Sequence, residues 1–316
     1  MQKNIRVFTP HDYPAIADIY TAAWDDAPTT ATQLRMQDEV LQRYRETRLQ
    51  RYVLEEHGQI IACSCYDQPP RFYDPRRFRV TICVAPPHQR RGLGSVLYLH
   101  LLGALRQLDA HTAWIKLHEN MHAGVHFARK HGFVEEICIW ELHLKTADFD
   151  LSPYRELLST LHAQGIEITS LQALEEDAER YQKLYRLTCE VGQDLPATER
   201  WTAPTYEAFV RDTLFLPPES YFVALHRDSY VGVSYLAAHS GGQFFATGLT
   251  GVARAYRRRG IALALKLHSI RHAQERAYSI ITTSVDATNQ ASRALNERLG
   301  FVRARTATVF TRELSS

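Results

Sequence analysis

The stretch YRRRGIALALKLHSIRHA, residues 256–273, places three arginines and a glycine immediately before an amphipathic helical pattern. The N-terminal end of a helix carries partial positive charge, so cations there are unfavourable unless an anion neutralises them. Gly260 removes side-chain bulk at the helix start, where the first backbone N–H groups have no partner within the helix. The stretch therefore predicts a loop that binds an anion.

The same loop occurs earlier in the chain, as HQRRGLGSVLYLHLL. Gly92 and Gly260 are 168 positions apart (260 − 92), and Gly132 in ARKHGF and Gly300 in NERLGF are separated by the same 168 positions (300 − 132). A constant separation of this kind indicates an internal repeat, in which both copies form the same supersecondary unit.

The length of the chain agrees with two copies of one fold, because 316 residues suffice for two domains with independent cores. Each half has the pattern of a mixed α/β fold of the α+β class: strand, helices, a strand hairpin, the glycine loop and a long helix, then strand, helix and strand. We predict domains at 1–146 and 147–316, with a linker helix region at 147–165 between the repeats.

The composition is that of an ordinary soluble globular protein. Hydrophobic residues make up 45%, charged residues 23%, and the formal charge is +2, so nucleic acid is not an expected partner. Five cysteines without a CxxC pair suggest neither a disulfide framework nor a thiolate zinc site. The start MQKNIRVFTPHDY lacks an apolar signal core and no long apolar run follows, so we expect a cytoplasmic protein without a membrane span. The oligomeric state is left open.

Two common phosphate-binding motifs do not match the loops. Neither copy continues with the Lys and Ser/Thr of a P-loop, and neither opens a parallel series with an acidic residue about 20 positions on. Nucleoside triphosphates and dinucleotides are therefore not favoured as ligands.

The pattern Gln/Arg-x-x-Gly-x-Gly/Ala between a strand and a helix resembles the pyrophosphate loop of the GNAT superfamily of N-acetyltransferases. The strand VTICVAP before QRRGLG, the later FARKHGF, and TGLTGVARAYRRRGIALALK with TNQASRALNERLGF resemble the tandem GNAT proteins, similar in layout to the mycothiol synthases. The resemblance covers nearly the whole chain. It implies two mostly antiparallel twisted sheets with flanking helices, in each of which strands four and five splay apart.

The resemblance also implies acetyl-CoA as cosubstrate, with its pantetheine arm between the splayed strands and its pyrophosphate on the loop. The residues that match the family's cofactor-binding positions fall in three groups. They are Ile82, Cys83, Val84, Leu249, Thr250, Gly251 and Val252 on strand four; Gln89, Arg90, Arg91, Gly92, Leu93, Gly94, Ser95, Arg257, Arg258, Arg259, Gly260, Ile261 and Ala262 in the loops; and Asn289 and Asn296 near the last helix.

Acetyl transfer to an amine requires a deprotonated nucleophile and a proton for the leaving thiolate. Many GNAT enzymes carry a Glu on strand four and a Tyr four residues before the Gly-Phe pair, but here the strands RVTICV and TGLTGV lack an acid and the Tyr positions hold Ala128 and Asn296. The remaining candidates are His118, Glu119 and Asp286, at the ends of the fifth strands, although both carboxylates are also natural helix caps.

We therefore predict an acetyl-CoA-dependent N-acetyltransferase that needs no metal and acts on the primary amine of a small molecule. The longer family match of the second half favours it as the catalytic half. One alternative is an acyl-CoA-binding module in which one or both halves are inactive. A more remote alternative is a zinc hydrolase at HENMH, residues 118–122, which requires a helix through both histidines.

Overall fold

The computed structural model describes residues 3–24, 28–70, 73–195, 201–238 and 244–314. The helices in this part of the chain are α1 Tyr13–Ala23, α2 Ala31–Gln42, α3 Leu93–Gln107, α4 His122–Lys130, α5 Arg155–Ala163, α6 Arg180–Gly192, α7 Tyr206–Thr213, α8 Ile261–Glu275 and α9 Gln290–Arg298. The strands are β1 Lys3–Val7, β2 Leu49–Glu56, β3 Gln59–Asp67, β4 Arg77–Val84, β5 Thr112–His118, β6 Val134–Lys145, β7 Ile166–Ser170, β8 Tyr221–His226, β9 Ser229–Ala238, β10 Phe244–Val252, β11 Ile280–Asp286 and β12 Val302–Glu313.

The chain divides into two compact units. Unit 1 comprises Met1–Ile137 and Thr308–Ser316, and unit 2 comprises Cys138–Ala307. The strand order is β1-β2-β3-β4-β5-β12 in unit 1 and β7-β8-β9-β10-β11-β6 in unit 2. Because the two orders correspond strand for strand, each unit has the mixed α/β architecture that the repeat predicts, and the predicted fold class is confirmed.

The closing strand of each half belongs mainly to the unit formed by the other half. Residues 139–145 of β6 pair antiparallel with β11, and the last residues of β12 lie beside β5, where Thr112 Oγ1 donates to Glu313. A repeat cannot reveal which of two equivalent sheet edges a closing strand joins. The division after residue 146 therefore stays a prediction about the sequence repeat.

A parallel strand pair that separates is the central feature of each sheet. β4 and β5 pair only from Arg77–Thr112 to Arg79–Trp114, and β10 and β11 pair only from Phe244–Ile280 to Ala246–Thr282. The connections α3 and α8 are the crossovers that parallel neighbours require. Beyond the paired residues each sheet opens toward the C-terminal ends of these strands, as the resemblance implies.

The two units differ in the strand that borders this gap. In unit 2, β10 has an irregularity against β9 between Thr247 and Thr250, whereas β4 pairs with β3 in continuous register from Ala62–Val84 to Asp67–Arg79. A β-bulge leaves a residue outside the ladder and redirects the neighbouring side chains. Unit 2 therefore has a bulged strand beside its gap and unit 1 does not.

The first helix after each gap-lining strand packs its apolar residues onto the sheet. In unit 1, Leu101 and Leu105 of α3 are fully buried, and in unit 2, Leu263 and Leu267 of α8 are buried. The opposite faces are covered by α1 in unit 1 and α6 in unit 2. None of the helices within the described residues is long and apolar enough to cross a membrane.

A lysine lies among the buried residues of α8. Lys266 is 5% exposed, with its ammonium nitrogen 5.1 Å from the centre of the Phe301 ring, and burial lowers its pKa to about 8. The unfolded chain therefore binds more protons than the folded chain between about pH 8 and pH 10.5, the ordinary lysine pKa. The free energy of unfolding should therefore rise as the pH increases through that range. Below about pH 8 the lysine is charged in the folded protein, and the full cost of burying that charge applies.

We expect Lys266→Met to raise the free energy of unfolding at pH 7 by up to about 3 kcal/mol. Methionine has a volume similar to that of lysine, and it brings no charge into the core. Most of that gain should disappear by pH 10, where the wild-type lysine is neutral. Urea unfolding at both pH values measures the difference, with Lys130→Met on the exposed surface of α4 as the control. An equal gain at both pH values would contradict the burial of the charge.

Candidate functional site

The two glycine loops have the same backbone conformation. Gly92 and Gly260 precede α3 and α8 with φ of 78° and 87°, and the residues two positions earlier, Arg90 and Arg258, have φ of 62° and 61°. A positive φ is uncommon outside glycine, so its occurrence at the same arginine in both loops indicates one specified turn. In each loop the first N–H groups of the helix are available to an anion.

A side chain at the start of each loop ties it to the preceding strand. Gln89 Nε2 donates to the Val84 carbonyl at 3.0 Å, and Arg257 Nε donates to the Val252 carbonyl at 3.1 Å. Gln89 and Arg257 occupy equivalent positions of the repeat. The first residue of the motif therefore holds the loop closed on the strand end, which presents the helix N-terminus to the gap.

Several loop arginines are engaged by carboxylates of their own unit. Arg91 binds Glu56 with two hydrogen bonds of 2.7 and 3.0 Å, and Arg257 binds Asp194, two residues after the end of α6. The guanidinium groups of Arg254 and Arg257 hold the pKa of Asp194 down to about 2. Arg90 and Arg258, at the positive-φ positions, are exposed and stand at the mouth of each loop.

The glycines themselves differ in their surroundings. A Cβ atom at Gly92 would meet nothing within 4 Å, whereas a Cβ atom at Gly260 would lie 2.6 Å from Leu157 Cδ1 of α5. Gly94, two residues further on in the first loop, has the Phe127 ring 3.2 Å from its Cβ position. The loop of unit 2 is thus packed against α5 through Leu157.

The strand residues predicted to contact the cofactor border the gaps. Ile82, Val84, Leu249, Thr250 and Gly251 are half-buried, beyond the last residues that pair with β5 or β11. The Cys83 side chain points away from α3, where a hydrogen bond with Cys63 and burial raise the pKa of its thiol. Only the backbone of Cys83 is therefore available on the gap side.

The predicted catalytic candidates lie at the ends of the fifth strands but differ in setting. His118 is the last residue of β5, Glu119 is exposed, and Asp286 is the last residue of β11 and 3% exposed. Asp286 Oδ1 accepts hydrogen bonds from the Thr288 amide at 2.8 Å and the Thr288 hydroxyl at 2.7 Å. Asp286 thus stabilises the turn that follows the strand.

The remote zinc-hydrolase alternative requires one helix through both histidines of HENMH. His118 ends a strand and His122 begins α4, so their imidazoles do not share a helix face. The described ranges contain no group of three His, Cys, Asp or Glu side chains placed to bind a metal ion. The geometry does not meet the requirement of that alternative.

The two asparagines of the last helix have distinct roles. Asn289 is the N-cap of α9, with its Oδ1 accepting from the Ser292 amide at 3.1 Å. Asn296 is 1% exposed, and its Nδ2 donates to the Ser292 carbonyl at 2.9 Å while its buried Oδ1 has no hydrogen-bond partner. A buried acceptor without a partner is costly. The equivalent residue of unit 1 is Ala128, which has no polar group.

Two residues at the bulge of β10 were not predicted as site residues, Gly248 and Tyr235. A Cβ atom at Gly248 would lie 1.9 Å from Cε2 of the Tyr235 ring, so the tyrosine fills the side-chain position of the glycine. Glycine within a strand often marks a bulge or a close approach of another group. The two glycines of TGLTG were the available signal.

The family model of the acetyltransferase (GNAT) family matches the chain twice, over residues 14–133 and 171–301. The chain belongs to the GNAT family. The tandem arrangement predicted from the repeat is confirmed, and family membership classes the protein as an N-acetyltransferase. No curated protein sequence gives a significant match.

Solved structures share the fold of this GNAT protein over its whole length. The GCN5-related N-acetyltransferase from Sphaerobacter thermophilus is 20% identical, with a TM-score of 0.73 over 98% of this chain and 95% of that one. A tandem GNAT protein from the clavulanic acid biosynthesis pathway is 17% identical, with a TM-score of 0.76 over 100% of this chain and 99% of that one. At these identities the similarity shows the fold.

GNAT enzymes use acetyl-CoA, and the residues present fit such a ligand in each unit. Each has a strand gap that leads to a helix N-terminus with unpaired amides, and unit 2 also has the orphaned Asn296 Oδ1. Neutral backbone donors at a helix N-terminus match a diphosphate without requiring a metal at the loop.

We expect wild type to bind two equivalents of CoA, and Gly92→Val and Gly260→Val to bind one each. Loss of two or three charge-assisted hydrogen bonds, about 1.5 kcal/mol each, implies at least about a hundredfold weaker binding at the altered loop. Isothermal titration measures the stoichiometry. Gly103→Ala, within α3 and with open space at its Cβ position, is the control that should retain two sites.

The same variants should differ in stability. Gly260→Val forces Leu157 to move, whereas the side chain of Gly92→Val enters open space. Gly260→Val should therefore be the less stable by about 1–3 kcal/mol, the usual cost of overpacking. Two full-affinity sites in both folded variants would show that neither loop holds a diphosphate.

Proposed function

We propose that the protein is an acetyl-CoA-dependent N-acetyltransferase in which unit 2 transfers an acetyl group to the primary amine of a small molecule. The observation that carries the proposal is the bulged strand β10, which borders an open strand pair and leads directly to the loop before α8. Family membership supports the general activity. The side chains beside the two strand gaps support an amine acceptor and favour unit 2 as the catalytic unit.

The loop of unit 2 would hold the diphosphate through the backbone N–H groups at Gly260, Ile261 and Ala262, with exposed Arg258 beside it. The separated ends of β10 and β11 would hold the pantetheine arm through backbone groups of Leu249 to Val252. Bound acetyl-CoA would supply the acetyl group as an activated thioester. Exclusion of water between the strands strengthens each of these hydrogen bonds.

Asn296 replaces the tyrosine that many GNAT enzymes carry, and an amide cannot donate a proton as a general acid. Its orphaned Oδ1 is an acceptor, suited to a hydrogen bond from a neutral N–H or S–H group. We infer that Asn296 positions the thiol end of CoA in unit 2. The proton that the thiol acquires then comes from the attacking amine, which must lose one when it becomes an amide.

The face of unit 1 that would receive an acceptor is unsuited to an amine. Arg79 lies over Trp114 with its guanidinium carbon 5.7 Å from the ring centre, and alternation along β5 places Lys116 and His118 on the same face as Trp114. The positive charges of Arg79 and Lys116 disfavour a protonated amine. The matching positions of β11 are Thr282, Ser284 and Asp286, so unit 2 is the better site for a cationic substrate.

Unit 1 is suited to bind acyl-CoA but not to catalyse transfer. Its glycine loop has the conformation of the unit 2 loop, but its strand β4 is regular and its tyrosine position is Ala128, which is fully buried. These features favour acyl-CoA binding without turnover. Unit 1 would then be the binding-module alternative, joined to a catalytic unit 2.

Release of free thiol from acetyl-CoA across a panel of primary amines tests the proposal. Wild type and Gly92→Val should release thiol with at least one amine, whereas Gly260→Val should lose most of the activity because its loop belongs to the catalytic unit. Protein that binds acetyl-CoA but releases no thiol with any amine would be a binding module. The opposite pattern of the two variants would assign catalysis to unit 1.

A further inference from the structure

The bulge of β10 places one residue of β9 opposite two residues of β10. Ser234 pairs with Thr250 and Leu236 pairs with Thr247, so Tyr235 alone faces Gly248 and Leu249. Such an arrangement crowds the residue opposite the bulge against the two bulged residues. Tyr235 therefore lies opposite a bulge, which the regular strand pair of unit 1 does not contain.

The Tyr235 ring lies in the place that a side chain of residue 248 would take. A Cβ atom on Gly248 would be 1.9 Å from Tyr235 Cε2 and 2.1 Å from Cζ. The hydroxyl oxygen is bonded directly to Cζ, so it lies one bond beyond this volume. Gly248 itself is half-buried at the open end of the strand pair, while Tyr235 is 5% exposed. The Tyr235 ring thus covers Gly248, which borders the gap.

The strand that borders the gap has no acid of its own, since residues 244–252 read FFATGLTGV. A carboxylate on this strand at residue 248 would occupy the volume that the phenol of Tyr235 fills. We propose that the Tyr235 hydroxyl contacts the acceptor amine in unit 2 and substitutes for an acid on β10. This inference rests on the proposed acetyltransferase activity of unit 2.

The chemistry of a phenol suits a defined step. The amine nitrogen donates one N–H to Tyr235 Oη, which directs its lone pair at the thioester carbon. The C–N bond forms, the C–S bond breaks, and the proton lost from nitrogen ends on the thiol sulfur. Tyr235 keeps its own proton throughout, so its part is to orient the amine and to stabilise positive charge that develops on nitrogen.

Tyr235 is held firmly enough for this role. Its ring stacks on that of Tyr221 of β8, with centroids 4.9 Å apart and an angle of 18° between the planes. The glycine beneath it and the tyrosine beside it restrict its rotamers. Tyr221 is therefore a matched control, because it is a tyrosine of the same stack that lies on the strand away from the gap.

In unit 1, Cys65 of β3 takes the place equivalent to Tyr235. Cys65 pairs directly with Thr81 in the regular ladder, and burial raises the pKa of its thiol. A buried neutral thiol is a weak hydrogen-bonding group. A tyrosine in unit 2 and a buried thiol in unit 1 agree with catalysis in unit 2. Cys65→Ser is therefore a suitable control variant in unit 1.

The test compares thiol release by wild type, Tyr235→Phe, Tyr221→Phe and Cys65→Ser, each with its KM for acetyl-CoA. We expect Tyr235→Phe to lower kcat about 10- to 100-fold, as removal of a hydrogen bond to a reacting group does, with KM for acetyl-CoA unchanged. Tyr221→Phe and Cys65→Ser should remain within about twofold of wild type. Equal activity of Tyr235→Phe and Tyr221→Phe would overturn the inference while leaving the acetyltransferase proposal intact.

A second pair of variants keeps the test decisive if the phenylalanine variant is poorly folded. Gly248→Ala should push the phenol out of place and lower kcat without loss of acetyl-CoA binding. Tyr235→Ala combined with Gly248→Glu puts a carboxylate into the vacated volume, and should be more active than Tyr235→Ala alone. Failure of the double variant to recover any activity, with Gly248→Ala fully active, would also overturn the inference. A wild type that releases no thiol overturns both proposals.

Discussion

The separation of one parallel strand pair determines the rest of each unit. Once β10 and β11 part after Ala246 and Thr282, the backbone N–H and C=O groups on the facing edges lose their ladder partners. Those groups are costly to bury unpaired, so the gap is stable only where water or an extended polar ligand satisfies them. A chain-like ligand with amide groups, entering beside a helix N-terminus, meets that requirement.

The two units use the same framework with different side chains. Both have the glycine loop in one conformation, held by Gln89 or Arg257 to the end of the preceding strand. Unit 2 adds a bulge, a phenol and a buried asparagine, whereas unit 1 has a regular strand and Ala128. A repeat in which one copy changes the groups beside the gap can retain ligand binding in both copies and restrict turnover to one.

The sequence predicted the features that depend on local patterns. Gly92 and Gly260, with their flanking arginines, indicated both loops, and the constant spacing indicated two copies of one fold. The bulge was not predicted because it depends on the register between β9 and β10, which no local pattern defines. Gly248 carried a signal in TGLTG, but the residue that fills its place, Tyr235, comes from a neighbouring strand.

Two other features depend on long-range packing. The exchange of β6 and β12 between units involves equivalent sheet edges that the repeat makes indistinguishable in sequence. The close approach of Leu157 to Gly260 depends on how α5 packs against the loop before α8, and no local sequence pattern defines that packing. For Asn296, the helical pattern gave its position, but only the packed structure reveals that its Oδ1 is buried without a partner.

We infer that the separated strands of unit 2 form an acyl-CoA site. A crystal structure of the protein with CoA tests it most directly. We expect the diphosphate on the amides at Gly260 to Ala262, the pantetheine arm between β10 and β11, and the thiol beside Gly248 and Leu249. CoA bound in unit 1 alone, or on another surface with the β10–β11 gap closed, would contradict it.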